Sequence, residues 1–261
     1  MTLIKNETES ENPVQLQQAS SKACPHNPQV SCGDCRLGSI CLPLALQDDE
    51  IVQLDEVIQR GRPLQKGDHL YRESDKFTSI YAVRSGSIKA YRVTGSGEEQ
   101  VTGFYFPGEL IGMDGISKDA YASSAKALET SAVCEIPFNR LEELSAQFPS
   151  LQRHFFQLMS QEIAVDQKLI TMLSKNTAEQ RVAALLMSIS ARNLRRKLSS
   201  TVFRLPMSRT DIGNFLGLTI ETVSRVFSRF NKMGLIAVEK KEVTIVDVDG
   251  LKEIAAEESE F

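Results

Sequence analysis

The 261-residue sequence predicts an α+β protein: a β-rich domain, then a long helix, then a winged helix-turn-helix. Three observations carry that prediction. Residues 63–137 hold short runs rich in Val, Ile, Tyr and Phe, punctuated by eight glycines. Residues 149–173 repeat apolar side chains at helical spacing without a break. Residues 208–247 read as helix, glycine turn, helix and hairpin in unbroken succession.

Taken in order, residues 1–22 are polar, lack a hydrophobic period and are expected to be a disordered tail. Residues 23–47 form a cysteine-rich loop with Gly33 and Gly38, short of apolar material and in need of a staple. A helix is expected over 48–62, capped by Asp48 or Asp49 and ended by Gly61, opening a β-rich domain that runs to 148. Within that domain SIYAVR, SIKAYRV, QVTGFYF and SAVCEI read as strands of an antiparallel barrel or sandwich. TGSGEEQ (94–100) is a hairpin turn whose glycines can take positive φ.

Pro149 starts the long helix. Phe156, Met159, Ile163, Asp166, Ile170 and Leu173 follow a 3-4-3-4-3 spacing, which is a coiled-coil seam. A second stripe, Leu151, Phe155, Leu158, Val165, Leu169 and Met172, lies on another face. Two apolar faces imply two partners, the chain's own β domain and a second copy of the chain. Asp166 stands in the seam where an apolar residue belongs. It either faces its symmetry mate, where like charges repel, or simply faces solvent.

Residues 174–247 form the C-terminal domain, beginning with a helix capped by Ser174 or Asn176. Ser208-Arg209-Thr210-Asp211 fits a capping box, Gly217 marks the turn, and Thr219 caps the second helix. Glu221, Thr222, Ser224, Arg225, Ser228 and Arg229 lie on its outward face, with Arg209 at the start of the first helix. Arginine can donate twice to guanine, and a carboxylate can accept from cytosine. Glu221 and Arg225 can equally pair with each other along the helix. Residues 235–247 read as a wing turning at Lys240-Lys241, and 248–261 as an acidic tail.

Charge supports this placement. The net charge is −4, which alone argues against a nucleic-acid partner. Residues 1–173 hold sixteen Lys/Arg and twenty-three Asp/Glu, residues 174–241 thirteen and four, and residues 242–261 one and seven. The blocks therefore carry −7, +9 and −6, and the basic block contains the helix-turn-helix. With 41% hydrophobic and 25% charged residues and no long apolar run, collagen-like, wholly disordered and membrane-spanning classes are excluded. No secretory leader is evident, so a cytoplasmic location is expected.

Four of the five cysteines fall within 18 residues: Cys24, Cys32, Cys35 and Cys41. Cys32-x2-Cys35-x5-Cys41 places three soft ligands in one loop, suited to zinc or an iron–sulfur cluster. Both prefer four ligands, and Cys24 and Cys134 compete for the fourth place. Three scattered histidines (His26, His69, His154) and the absence of a Walker loop leave no enzyme motif.

Three segments together resemble the oxygen-responsive fumarate-and-nitrate-reduction branch of the cyclic-AMP-receptor superfamily, over about residues 30–247. They are Cys32-Gly-Asp-Cys35 with Cys41-Leu-Pro-Leu, Leu128-Glu-Thr-Ser-Ala-Val-Cys134-Glu-Ile-Pro-Phe, and Thr219-Ile-Glu221-Thr-Val-Ser224-Arg225. The resemblance implies a β-roll of the cupin-like, cyclic-nucleotide-binding type as the sensory domain. It implies a [4Fe–4S] cluster on Cys32, Cys35, Cys41 and Cys134. It further implies a homodimer on double-stranded DNA when cluster-loaded and a monomer once oxygen destroys the cluster, with Glu221, Ser224 and Arg225 reading TTGAT half-sites, and contact with RNA polymerase, for which the 93–99 hairpin is the candidate. Asp166 matches the dimer-helix aspartate of that branch. A same-fold regulator with structural zinc or a cyclic-nucleotide effector is the alternative. Against a nucleotide, no arginine occurs from Val93 to Asn139 to meet a phosphate.

Overall fold

A computed structural model describes residues 30–256. The expected tail over 1–22 and Cys24 lie outside the described residues. The cysteine loop has more apolar anchorage than its composition suggests. It winds through tight turns into a 3-10 turn at Leu42–Ala45, and Leu37 and Leu42 are buried against the domain that follows. Helix α1 spans Asp48–Val57. Its cap is Gln47, not Asp48 or Asp49, because Glu50 reaches back to accept from the Gln47 amide at 2.8 Å. It stops before Gly61 because Gln59 leaves to pair with Glu135, its amide donating to the Glu135 carbonyl.

Seven strands then form a β-roll: β1 (His69–Tyr71), β2 (Ser79–Ser85), β3 (Ile88–Val93), β4 (Glu99–Tyr105), β5 (Leu110–Ile111), β6 (Ser124–Ala127) and β7 (Ala132–Pro137). One sheet has the order β1-β6-β3-β4, the other β5-β2-β7, and all pairings are antiparallel. The four runs legible in the sequence are β2, β3, β4 and β7. Strands β1, β5 and β6 are two to four residues long, too short to show a period. Gly86 turns β2 into β3 at φ +76°; a Cβ there would lie 2.4 Å from the Thr130 carbonyl oxygen.

Helix α2 (Phe138–Gln147) was not anticipated, because it leaves β7 directly through Pro137 with no polar cap. Helix α3 runs over Pro149–Lys175 with proline at its first turn. Its N-terminal half packs Leu151, Phe155, Leu158 and Met159 on the roll, while Met172 meets the C-terminal core. Val165, placed in the roll-facing stripe by spacing, is exposed.

The C-terminal domain begins with α4 (Ala178–Arg195), capped by Thr177 in a capping box with Gln180 instead of by Ser174 or Asn176. It continues with β8 (Val202–Arg204), α5 (Arg209–Leu216), α6 (Ile220–Lys232), β9 (Ile236–Glu239), β10 (Glu242–Ile245) and α7 (Val248–Ala256). The wing sheet has the order β8-β10-β9. Residues 248–256, expected as part of an acidic tail, are helical: Leu251 is fully buried and α7 packs on α4. The seven acidic residues after 241 hid the helical spacing of Val248, Leu251, Ile254 and Ala255.

One hydrophobic core fills the roll and takes in Leu42 and α3. A second fills the helix-turn-helix and continues into the β3–β4 side of the roll through Tyr91, Val101, Phe104 and Phe106. Polar links cross the same boundary. Buried Lys89 donates to Glu99 (2.6 Å) and to Asp211 of α5 (2.8 Å). Arg192 of α4 donates to the Phe104 carbonyl (2.8 Å) and pairs with Glu109 (3.4 Å). Arg204 of β8 pairs with Glu129, and Gln100 donates to the Asn214 carbonyl.

Candidate functional site: a cysteine cavity and a nucleic-acid interface

The register of β2 against β7 sets Ala82 opposite Cys134. Alternation therefore puts Cys134, Ile136 and Ala82 on one face of the sheet, and Arg84, at an irregularity in the β2–β7 register, lines the same cavity. The cysteine loop lies over that face. Cys32, Cys35, Cys41 and Cys134 line one cavity with Leu37, Leu42, Ile58, Ile136 and Arg84, and all four thiols are free. The loop is held in place by the Cys32 amide, which donates to Asp55 at 2.7 Å, while Arg60 pairs with Asp55 and approaches the Cys32 sulfur at 3.6 Å. Among the described residues, no three His, Cys, Asp or Glu side chains close on a point that would hold a single ion.

The thiols sit in a medium that resists bare thiolate. Burial, then the Asp55 carboxylate, pushes Cys32 well above its ordinary value, and burial lifts Cys41 to about 12. Burial also raises Cys134, with Arg60 and Arg84 pulling the other way. Asp55 is itself partly desolvated, but the Cys32 amide and Arg60 hold its carboxyl below the usual range. Arg84 is only 7% exposed, and its Nε and Nη1 find no hydrogen-bond partner. Four thiols and an orphaned cation around one space fit an anionic, thiolate-ligated group. Cys134, one of the two candidates for the fourth ligand place, is half-buried and lines this cavity.

The roll interior by Gly112 is filled by aromatic rings. Tyr71 and Tyr121 stack at 3.8 Å between centroids, and Tyr121 donates to the Ser79 carbonyl at 2.7 Å. The PGELIG turn presents Glu109, whose carboxylate pairs with Arg192, so an anion there would meet a carboxylate.

In the helix-turn-helix, Ser208 and Asp211 cap α5 reciprocally, Gly217 takes φ +63°, and Thr219 caps α6 through the Thr222 amide. Val223, Val226, Phe227 and Phe230 are buried beneath α6. Ser224, Arg225, Ser228, Arg229 and Lys232 line its open outward groove, and Lys232 is an addition that the one-turn spacing from Ser228 could have supplied. Arg225 donates to Thr222 Oγ1 at 3.0 Å and does not pair with Glu221. Glu221 is fully exposed, its carboxyl held below the ordinary value by its own amide and the Thr219 hydroxyl at the helix N-terminus. Arg229 pairs with Glu179 of α4 at 3.0 Å. Arg209 lies over the Phe227 ring at 3.2 Å, and burial lowers its guanidinium to about 10; it packs under the motif instead of projecting from it. In the wing, Lys240 takes φ +56° and is exposed, whereas Lys241 donates to the Pro206 carbonyl.

Along the α3 seam, Phe156, Ile163 and Ile170 are 57–67% exposed, and Asp166 is exposed beside them. Met159 and Leu173 are half-buried, Met159 turning toward the roll. Partial desolvation raises the Asp166 carboxyl above its ordinary value.

Residues 61–148 match the model of the cyclic nucleotide-binding domain, and residues 180–254 that of the Crp-like helix-turn-helix domain. The chain is 52% identical over 220 residues to the transcriptional activator protein anr of Pseudomonas aeruginosa, covering 84% of this chain and 90% of that protein. It is 47% identical over 226 residues to the fumarate and nitrate reduction regulatory protein of Escherichia coli, covering 87% and 90%. The solved structure of FixK2 from Bradyrhizobium japonicum superposes with a TM-score of 0.71 at 25% identity, covering 77% of this chain and 98% of that one. Among the described residues no helix is long and apolar enough to cross a membrane. With a β-roll, a long connecting helix, an exposed recognition helix and relatives at about half identity over most of its length, the chain belongs to the fumarate-and-nitrate-reduction branch of the cyclic-AMP-receptor superfamily, a family of anaerobic transcription regulators and not of enzymes.

Proposed function

We propose that this regulator is oxygen-responsive, with a [4Fe–4S] cluster on Cys32, Cys35, Cys41 and Cys134. The observation that carries the reading is the shared cavity in which those four thiols meet the unpaired Arg84. Four soft ligands lining one cavity match the ligand number of a [4Fe–4S] group. When bound, such a group supplies an oxygen-labile centre. The chain's own residues do the rest. Cys134 ties the loop to β7, and Leu42 and Leu37 seat the loop on the roll. The α3 seam of Phe156, Ile163 and Ile170 offers a second copy its apolar surface, with Asp166 opposing the pairing.

A paired molecule presents two α6 helices to successive major grooves, about 34 Å apart. Glu221, Ser224 and Arg225 are assigned to the bases of TTGAT-type palindromes, Thr222 to orienting Arg225, and Arg229 and Lys232 to phosphates. Arg209 is assigned to supporting Phe227. RNA polymerase is assigned to the 93–99 hairpin, and the location is cytoplasmic. Anaerobic purification tests the cluster: about four iron and four sulfide per chain, lost in Cys134→Ser and kept in Cys24→Ser, are expected. A colourless protein containing zinc would refute it.

A further inference from the structure

We infer that Arg84 is the counter-cation of the cysteine cavity, donating through Nε and Nη1 to the sulfur atoms of the bound group and raising its affinity for an added electron. This rests on the cluster reading above and goes beyond it, because it assigns the electrostatics of the site to a residue that is not a ligand.

Four observations point to Arg84. It lines the cavity together with all four thiols. It is 7% exposed, so bulk water has little access to it. Two of its three nitrogens, Nε and Nη1, are buried without a hydrogen bond. Among the described residues it also makes no ion pair, whereas the neighbouring Arg60 is already matched by Asp55. A buried guanidinium with free N–H groups is expensive unless an anion satisfies it. Among the described residues none does so, and the cavity that Arg84 lines offers it four cysteine sulfurs. Four thiolates around a [4Fe–4S] core of charge +2 leave a net charge of −2, which a facing cation stabilises. One-electron reduction takes that charge to −3, so the same cation favours the reduced form more strongly. Hydrogen bonds to sulfur and local charge are among the protein's levers on cluster potential.

The test uses full-length protein loaded anaerobically, as wild type, Arg84→Gln and Arg84→Lys. Iron and sulfide are measured, folding is checked by far-ultraviolet circular dichroism, and the one-electron midpoint is found by mediated titration with an optical or paramagnetic readout. Arg84→Gln is expected to disfavour reduction about tenfold, a negative shift of about 59 mV, and Arg84→Lys to recover part of it. Loss of loading in a folded Arg84→Gln protein that lysine restores supports the same role. An unchanged midpoint in loaded Arg84→Gln overturns the inference and leaves the cluster reading standing. Failure of both variants to load overturns it too, because the site then needs the shape of arginine and not its charge. Wild-type protein without iron and sulfide refutes the cluster reading itself.

Discussion

Lys89→Met tests how the sensory roll holds the DNA-reading domain. Lys89 has a side chain 8% exposed and donates to Glu99 at 2.6 Å and to Asp211 at 2.8 Å, the second bond crossing from β3 to α5. Methionine keeps much of the stem and removes the charge. Each charge-assisted bond contributes about 1.5–3 kcal/mol, but neither acid is left alone. Asp211 keeps the Ser208 amide and hydroxyl, and Glu99 keeps Lys126 at 3.6 Å. The loss is therefore about 2–3 kcal/mol, below the full cost of stranding a buried ion. Urea unfolding followed by circular dichroism measures it, and hydrogen exchange over 209–216 locates it. A double-mutant cycle with Asp211→Asn should give a coupling of about 1–2 kcal/mol.

The pH dependence of Lys89→Met follows from two opposite shifts. Despite desolvation, Asp211 and Glu99 hold Lys89 above its ordinary value. That stabilisation is complete below the unfolded lysine value of about 10.4 and is lost as pH rises through the folded one. Against desolvation of its own, Lys89 and Ser208 hold Asp211 low, so its share is present above about pH 3.9 and fades as pH falls through the lower folded value. The difference between wild type and variant should be flat between those limits. A destabilisation under about 0.5 kcal/mol with unchanged exchange in α5 would refute the interdomain role.

Gly213→Ala would put a Cβ 2.6 Å from the Leu218 carbonyl oxygen; a loss of about 2 kcal/mol and weaker operator binding are expected from thermal melts and gel shifts. Arg225→Ala should cost about 1–3 kcal/mol at the guanine position without lowering the melting temperature, whereas Arg209→Ala should lower the melting temperature through the lost Phe227 contact. Asp166→Ala should form dimers and bind DNA in air, read by sedimentation velocity; a variant that stays monomeric refutes the repulsion. Leu251→Ala should cost about 2–4 kcal/mol, and a value near zero would mean that α7 does not belong to the core.

The sequence made the β-roll strands longer than five residues visible, along with α3 and the helix-turn-helix. Each of these carries its signal within one window: a short apolar run in β2, heptad spacing in α3, a capping box and a glycine in α5. What was missed has its cause outside the window. Helix α2 lacks a polar cap, α7 hides its apolar face among acids, and β8 exists only through its pairing with β10. The site shows the same division. Cys32, Cys35 and Cys41 were legible as a cluster of thiols, but Cys134 is 93 residues beyond Cys41 and joins them through strand register. Arg84, Arg60 and Asp55 carried no spacing signal at all, nor did the contact of Arg209 with Phe227, on the next helix.

The links from the roll to the C-terminal domain engage three different elements: α5 through Asp211, α4 through Arg192 and β8 through Arg204. Together with the apolar core continuous through Tyr91, Val101, Phe104 and Phe106, they resist swivelling of this domain on the roll. The reading head of each chain is thus a fixed extension of its roll, like a blade set in a handle. In the proposed two-fold pair its reach toward a second half-site would then be decided where the two handles cross. Under the proposed pairing along α3, turning one handle by an angle would sweep the blade tip through an arc that grows with its distance from the crossing, so a slight change of pitch there would carry α6 out of register with DNA.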